Sequence, residues 1–106
     1  MHYEVQIRLS WVLPPKSKII NGIEIYADWF DCRFITPTFP SKSLILEKVK
    51  EGSEEAYEKL NSVMYLLNMN ESKMKRIYSG SDFMSLKPNF EDSHISYIWI
   101  TKVNEA

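Results

Sequence analysis

The chain has 106 residues, of which 14 are acidic and 13 are basic, so its formal net charge at pH 7 is −1. Hydrophobic residues make up 44% and charged residues 25%, a composition typical of globular domains and unlike that of disordered segments. The length predicts a single domain over residues 1–106. Since a nearly neutral chain has no broad cationic field, we expect no nucleic-acid partner.

Cysteine usage and the first residues indicate the compartment. Cys32 is the only cysteine, so no internal disulfide can form, which favours a reducing environment. Residues 1–5 alternate between apolar and polar types and lack the basic stretch and apolar block of a signal peptide. No apolar run approaches the length of a membrane span. We therefore expect a cytoplasmic protein with no membrane partner.

The first third of the chain has the pattern of β-strands. Residues 3–13 alternate strictly, and this predicts a half-buried strand. Asn21-Gly22 lies between isoleucines, as in a two-residue hairpin whose central residues both need positive φ. Residues 23–36 are predicted to be extended, either as one strand or as two, with a turn or bulge over residues 28–31. The inward face of the first strand would hold Tyr3, Val5, Ile7, Leu9 and Trp11.

The apolar spacing changes to a helical one in the middle of the chain. A short helix is predicted from Ser41, and Gly52 is placed to end it at the C′ position. Ser53 is predicted to cap a second helix, whose apolar stripe recurs at spacings of three and four from residue 56 to residue 67. Ser72 is expected to cap a further short helix that reaches Tyr78.

Strands return in the last third of the chain. Residues 83–86 predict a brief strand, and residues 94–103 predict a longer one. The longer strand is apolar on both faces, which favours a central place in the sheet. Strands, then helices, then strands again predict an α+β fold with a mostly antiparallel sheet and two or three helices packed on one face.

The inventory of reactive side chains is poor. The available soft or borderline ligands are His2, His94 and Cys32, without any clustered spacing, so we expect no metal site. The three glycines, at positions 22, 52 and 80, are too far apart in the sequence to form a P-loop or a dinucleotide-binding fingerprint. We predict no catalytic residue, no cofactor and no enzymatic activity. A small enzyme with a Cys32/His94 or an Asp/His site is the alternative. The basic run of residues 73–76 is interpreted as the solvated end of a helix.

Two acidic segments are the candidate partner-binding residues. In residues 27–31, carboxylates flank two adjacent aromatic rings, which would point to opposite faces of a strand. One hypothesis exposes a ring within an acidic rim, as in interface anchors, and the other buries both rings. The second segment is a polar loop before the last strand. The candidates are Asp28, Trp29, Phe30, Asp31, Glu91 and Asp92.

These observations favour a small protein-binding or inhibitor protein. By analogy of size and charge with bacterial immunity proteins and antitoxins, it would block a toxin domain by surface complementarity, and its acidic loops would suit a basic, nuclease-like target. Besides the enzyme, a subunit or adaptor that docks on itself or on a larger assembly is the alternative, so a homo-oligomer is also expected under that hypothesis.

Overall fold

The computed structural model describes residues 1–12, 18–78, 81–86 and 95–104. Its helices are α1 (Lys42–Gly52) and α2 (Glu54–Asn61), and two 3₁₀ turns follow at Met64–Leu66 and Glu71–Lys73. Its strands are β1 (His2–Val12), β2 (Lys18–Ile20), β3 (Ile23–Ile25), β4 (Ala27–Thr36), β5 (Lys75–Tyr78), β6 (Ser81–Leu86) and β7 (Ile95–Val103). The predicted α+β class is confirmed.

Five of the strands form one antiparallel sheet in the order β4-β1-β7-β6-β5. The predicted central position of β7 is confirmed, because it pairs with β1 on one side and with β6 on the other. The first and last strands of that order, β4 and β5, are the two edges of the sheet. The shorter strands β2 and β3 pair only with each other within the described residues and make a separate hairpin.

The core lies between one face of the sheet and the two helices. All five inward residues predicted for β1 are buried, with at most 5% of any of them exposed. Ile98 and Ile100 of β7 are fully buried beside them. The helices contribute their apolar stripes to the same cluster through Ile45, Val49, Ala56 and Leu60. We call this side of the sheet the helix-covered face and the opposite side the open face.

The hairpin is confirmed, and the extended stretch after it consists of two strands. Asn21 and Gly22 connect β2 to β3 with φ angles of 51° and 78°. The break between β3 and β4 falls at Tyr26, so the turn or bulge predicted over residues 28–31 is wrong. Residues 27–36 pair with β1 in one continuous register, because the strict alternation of β1 provides an unbroken ladder for them.

Gly52 differs from the prediction in its position and in its physical role. It is the last residue of α1 and has no left-handed φ. A Cβ atom at this position would lie 2.6 Å from Cζ of Phe30, so any other residue would force the Phe30 ring or α1 to shift. The predicted cap at Ser53 is confirmed, since its Oγ accepts a hydrogen bond from the Ala56 N–H at 3.1 Å. α2 ends at Asn61, earlier than its apolar stripe predicted.

The helix predicted from Ser72 to Tyr78 is wrong. Asn70 caps only a 3₁₀ turn there, and β5 begins at Lys75. Backbone pairing with β6 outweighs the local helical spacing, since strand formation depends on non-local neighbours. The basic residues 73–76 therefore do not form a helix end. A loop is also predicted over residues 79–82, and it is wrong for residues 81 and 82, which begin β6 and pair with β7. Residues 79–80 and the loop predicted over residues 88–93 lie outside the described residues.

No helix within the described ranges is long and apolar enough to cross a lipid bilayer.

Candidate binding surface

The open face is built by the alternate residues of four adjacent strands. Helices cover the other side of the sheet, and no described element packs over this one. In a pleated strand every second residue points to the same side, so the registers place these residues in one layer. They are His2, Glu4, Gln6, Arg8 and Ser10 of β1, Trp29, Asp31, Arg33 and Ile35 of β4, Tyr97, Trp99 and Thr101 of β7, and Phe83 and Ser85 of β6.

An aromatic cluster of Tyr97, Trp99 and Phe83 occupies the middle of the open face. The rings of Tyr97 and Trp99 are stacked, with centroids 4.0 Å apart and an interplanar angle of 17°. Phe83 meets Trp99 edge to face at 6.1 Å. Trp99 still has 38% of its surface exposed. The three rings hold one another in place, so contact with a partner would cost little conformational entropy.

An ion pair connects the aromatic cluster to the edge strand β4. Arg8 donates to Asp31 through Nε at 2.7 Å and through a terminal nitrogen at 3.3 Å. This bidentate contact raises the pKa of Arg8, first through the hydrogen bond and then through the charge of Asp31. The guanidinium of Arg8 also lies 5.7 Å from the ring centroid of Tyr97. Arg8 is thereby held between a carboxylate and an aromatic ring on the open face.

Large apolar side chains flank this ion pair on β4. Trp29 is 60% exposed and Ile35 is 68% exposed. Between β1 and β4 the surface has a shallow depression of about 430 Å³, whose lining includes Glu4, Gln6 and Arg33. Exposed apolar side chains beside polar groups are the composition expected of a surface that binds another molecule.

The structure separates the residues predicted as one binding segment. Trp29 and Asp31 lie on the open face, whereas Asp28 and Phe30 lie on the helix-covered side of β4. The hypothesis that both rings are buried is wrong, because Trp29 is largely exposed while Phe30 packs against the core. The acidic rim is also different from the prediction, since Asp28 accepts a hydrogen bond from Lys18 Nζ at 2.7 Å and Asp31 is paired with Arg8.

The remaining predicted residues do not join this surface. Glu91 and Asp92 lie outside the described residues. Tyr97, Trp99 and Phe83 were not among the predicted binding residues, although the alternation of β7 had already placed Tyr97 and Trp99 on one face. The sequence pattern did not show which face of the sheet the helices leave uncovered, and this information is needed to identify the surface.

The one cysteine lies on the helix-covered side. Cys32 is half-buried at the rim of the core, and this burial raises the pKa of its thiol. A raised thiol pKa lowers the fraction of nucleophilic thiolate at neutral pH. His94, its partner in the alternative enzyme hypothesis, is outside the described residues. Among the residues that the structure describes, no three potential metal ligands come together.

Comparison of the chain with protein-family models, with curated proteins and with solved structures gives no significant match. The function is therefore argued from the geometry of the open face alone.

Proposed function

We propose that this chain is a small protein-binding protein whose open face docks against a partner protein. The observation that supports the proposal is the aromatic cluster of Tyr97, Trp99 and Phe83, on a sheet face that no described element covers and that also exposes Trp29 on the edge strand β4. Buried Trp and Tyr side chains dominate the binding energy of many protein interfaces, and the ring of polar residues around them excludes water.

The charges of the open face favour a protein over a nucleic acid as the partner. Its described charged residues are the cations Arg8, Arg33 and Lys75, the last opposite Phe83 on β5, and the acids Glu4 and Asp31. Surfaces that bind nucleic acids usually have a large excess of cations, because neutralising the phosphate backbone supplies much of the affinity. A mixed set of both signs around aromatic rings instead matches a protein surface that has an apolar centre and a mixed polar rim.

An inhibitor of the immunity type is the narrower form of the proposal. A rigid, ring-rich sheet face could block a toxin's active site by covering it, without any reactive group of its own. Of the acids predicted to attract a basic target, Asp28 and Asp31 are already paired within the chain. Shape and apolar contact at the aromatic cluster would therefore contribute more to the affinity than the charge of this segment.

Comparative affinity capture with matched variants tests the proposal. The tagged chain, Trp99→Ala and Tyr65→Ala would each be used to recover a stoichiometric partner from the cells of origin, followed by titration with the purified partner. Tyr65 is 77% exposed and lies in the 3₁₀ turn Met64–Leu66, so it is the matched control outside the sheet. Loss of a central Trp contact is expected to raise the Kd by about tenfold to a thousandfold, and Tyr65→Ala should leave it unchanged.

Two outcomes would contradict the proposal. Equal affinity of the partner for all three chains would show that the open face is not the docking surface. Saturable binding of a single-stranded RNA oligonucleotide that Trp99→Ala abolishes would instead assign the aromatic cluster to base stacking. For the inhibitor form, the captured partner must lose its own activity when the chain is added in equimolar amount.

A further inference from the structure

The edge strand β4 has charged side chains at Asp28, Asp31 and Arg33 but lacks several other features that usually prevent edge-to-edge pairing. Proteins commonly protect an edge with lysine, proline, a bulge or a very short strand. β4 has ten residues, contains no lysine or proline, and pairs with β1 without a register shift. Within the described residues its outer edge pairs with no strand. The Trp29 N–H already donates to the Asp28 carboxylate at 3.0 Å, and no described strand takes the other outward backbone groups of β4.

The sequence of β4 is self-complementary around Cys32. Residues 29–35 read Trp-Phe-Asp-Cys-Arg-Phe-Ile, so the residues at equal distances on either side of Cys32 match in kind or oppose in charge. Asp31 and Arg33 form one such pair of positions and have opposite charge. Trp29 and Ile35 form another on the same open face, and both are exposed apolar side chains. Phe30 and Phe34 form a third on the helix-covered side.

We propose that two copies of this chain form a dimer by antiparallel pairing of their β4 strands, with Cys32 opposite Cys32 of the second copy. The two-fold axis is then perpendicular to the sheet. The two five-stranded sheets become one continuous sheet of ten strands. Asp31 lies opposite Arg33 of the second copy, and Trp29 lies opposite Ile35. Because such an interface is isologous, each of these contacts occurs twice.

Neighbouring registers are disfavoured by their charges. A two-fold pairing of antiparallel strands always places one residue opposite itself, so the register can shift only by choosing another central residue. With Asp31 or Arg33 at the centre, two like charges would face each other directly, which is destabilising. With Phe30 or Phe34 at the centre, Asp31 and Arg33 would no longer be opposite each other. Cys32 is the centre that joins the opposite charges and both apolar pairs.

Both the charges and the partial burial of β4 are consistent with an additional strand at this edge. Arg33 has no carboxylate partner among the described residues, whereas Asp31 is already paired with Arg8 on its other side. The helix-covered residues Phe30, Cys32 and Phe34 are only partly buried, although they pack against the core. A second copy would cover these rings and would place Arg33 beside a carboxylate.

Charge reversal on β4 tests the dimer directly. Light scattering of the unchanged chain is expected to approach twice the 12.5 kDa of one chain as the concentration rises. Arg33→Asp would place two pairs of carboxylates opposite each other and should weaken the dimer about a hundredfold. Lys75→Asp makes the same charge change on β5 at the other edge and should leave the dimer intact. Far-ultraviolet circular dichroism of each variant checks that the fold is retained.

A mixing experiment distinguishes loss of charge complementarity from loss of folding. Asp31→Arg alone also sets like charges opposite each other and should be monomeric. One chain with Arg33→Asp and one with Asp31→Arg are complementary to each other, so an equimolar mixture should form a heterodimer that neither forms alone. A strict monomer at about 1 mM for the unchanged chain would overturn the proposal. So would a dimer that Arg33→Asp does not weaken.

Oxidation of Cys32 reports the register. Residues directly opposite each other in antiparallel strands have Cα atoms about 4.5–5.5 Å apart, which is within the range of a disulfide. One step to another central residue increases this separation to about 7–8 Å, which is beyond that range. Diamide would take up two electrons and the two thiol protons, and one S–S bond would form between the copies.

Because Cys32 is the only cysteine, a covalent dimer can have only this connection. Prompt formation of that dimer in the unchanged chain, and its loss in Arg33→Asp, is the expected result. A non-covalent dimer that diamide does not link would overturn the register. The dimer can be tested separately from the proposed partner site at the aromatic cluster, because Trp99→Ala should weaken partner binding without changing the mass of the dimer.

Discussion

The two edges of the sheet differ in almost every respect. β4 is long and regular, and it is attached to α1 by apolar packing, with the Phe30 ring directly under Gly52. β5 has four residues and a register shift between Arg76 and Tyr78. The segment before β5 is attached by polar contacts, since Glu71 accepts a hydrogen bond from the Tyr3 hydroxyl and its Oε1 lies 3.6 Å from Lys102 Nζ.

This difference shows how one sheet can have one protected edge and one available edge. A short, irregular strand that contains Lys75 and Arg76 offers little to a further strand. The ten-residue β4 has one face packed under a helix and no described strand at its outer edge. The attachments of the two edges can be tested separately by substitution.

Truncation of the ring under α1 should have the largest effect. Phe30→Ala is expected to lower the free energy of unfolding by about 2–3 kcal/mol, below the value for a fully buried ring because Phe30 is only half-buried. Trp29→Ala is the matched control on the opposite face of the same strand and should cost less than about 0.5 kcal/mol in the monomer. Urea denaturation at low protein concentration measures both. Equal losses would show that α1 does not hold β4.

Filling the space between α1 and β4 should have the next largest effect. In Gly52→Ala the new Cβ atom would meet the Phe30 ring at 2.6 Å, so the ring or the helix must shift. We expect a loss of about 1–3 kcal/mol in the free energy of unfolding, as for other overpacked contacts. Adding Phe30→Leu to Gly52→Ala should recover part of that loss. A double variant that is no more stable than Gly52→Ala would contradict the assigned contact.

The polar attachment near β5 predicts a loss of stability at alkaline pH. The hydrogen bond to Glu71 and then burial raise the pKa of Tyr3 to about 12, above its value near 10 in the unfolded chain. Its contribution is therefore fully present below pH 10 and disappears as the pH rises towards 12, and it amounts to about 2 kcal/mol. Tyr3→Phe should flatten this part of the stability profile. An unchanged profile would show that the pKa of Tyr3 is not raised in the folded chain.

The ion pair at the start of β4 should have the smallest effect. The hydrogen bond from Lys18 lowers the pKa of Asp28, so its contribution is present above the unfolded pKa near 3.9 and disappears as the pH falls through that range. Both side chains are partly exposed, so the effect should not exceed about 0.5 kcal/mol. Lys18→Met should raise the pKa of Asp28 as measured by NMR. An unchanged pKa would exclude this ion pair as the cause.

The sequence predicted those parts of the fold that depend on local periodicity. The alternation of β1 located its buried face, and Asn21-Gly22 located the hairpin. The stretch from Ser72 to Tyr78 was predicted wrongly because Met74, Ile77 and Tyr78 also fit a helical spacing. Only pairing with β6, a non-local contact, decides in favour of a strand there.

The candidate surface was harder to predict than the fold. Trp29 was identified, because adjacent rings on a strand must point to opposite faces. Tyr97 and Trp99 were not identified, because an alternating strand shows which residues share a face but not which face the helices cover. The covered face is decided by the direction in which α1 and α2 fold back after β4. This direction depends on packing across the whole core.

Ser53 limits where this chain can vary in length. Its N–H donates to the Val49 carbonyl as α1 ends, and its own carbonyl accepts from the Tyr57 N–H as α2 begins. One residue thus ends one helix and starts the next, leaving no spacer between them. A single added residue there would rotate the buried stripe of α2 by about 100° relative to that of α1. Insertions should be tolerated at the exposed Asn21-Gly22 tip and not at this junction.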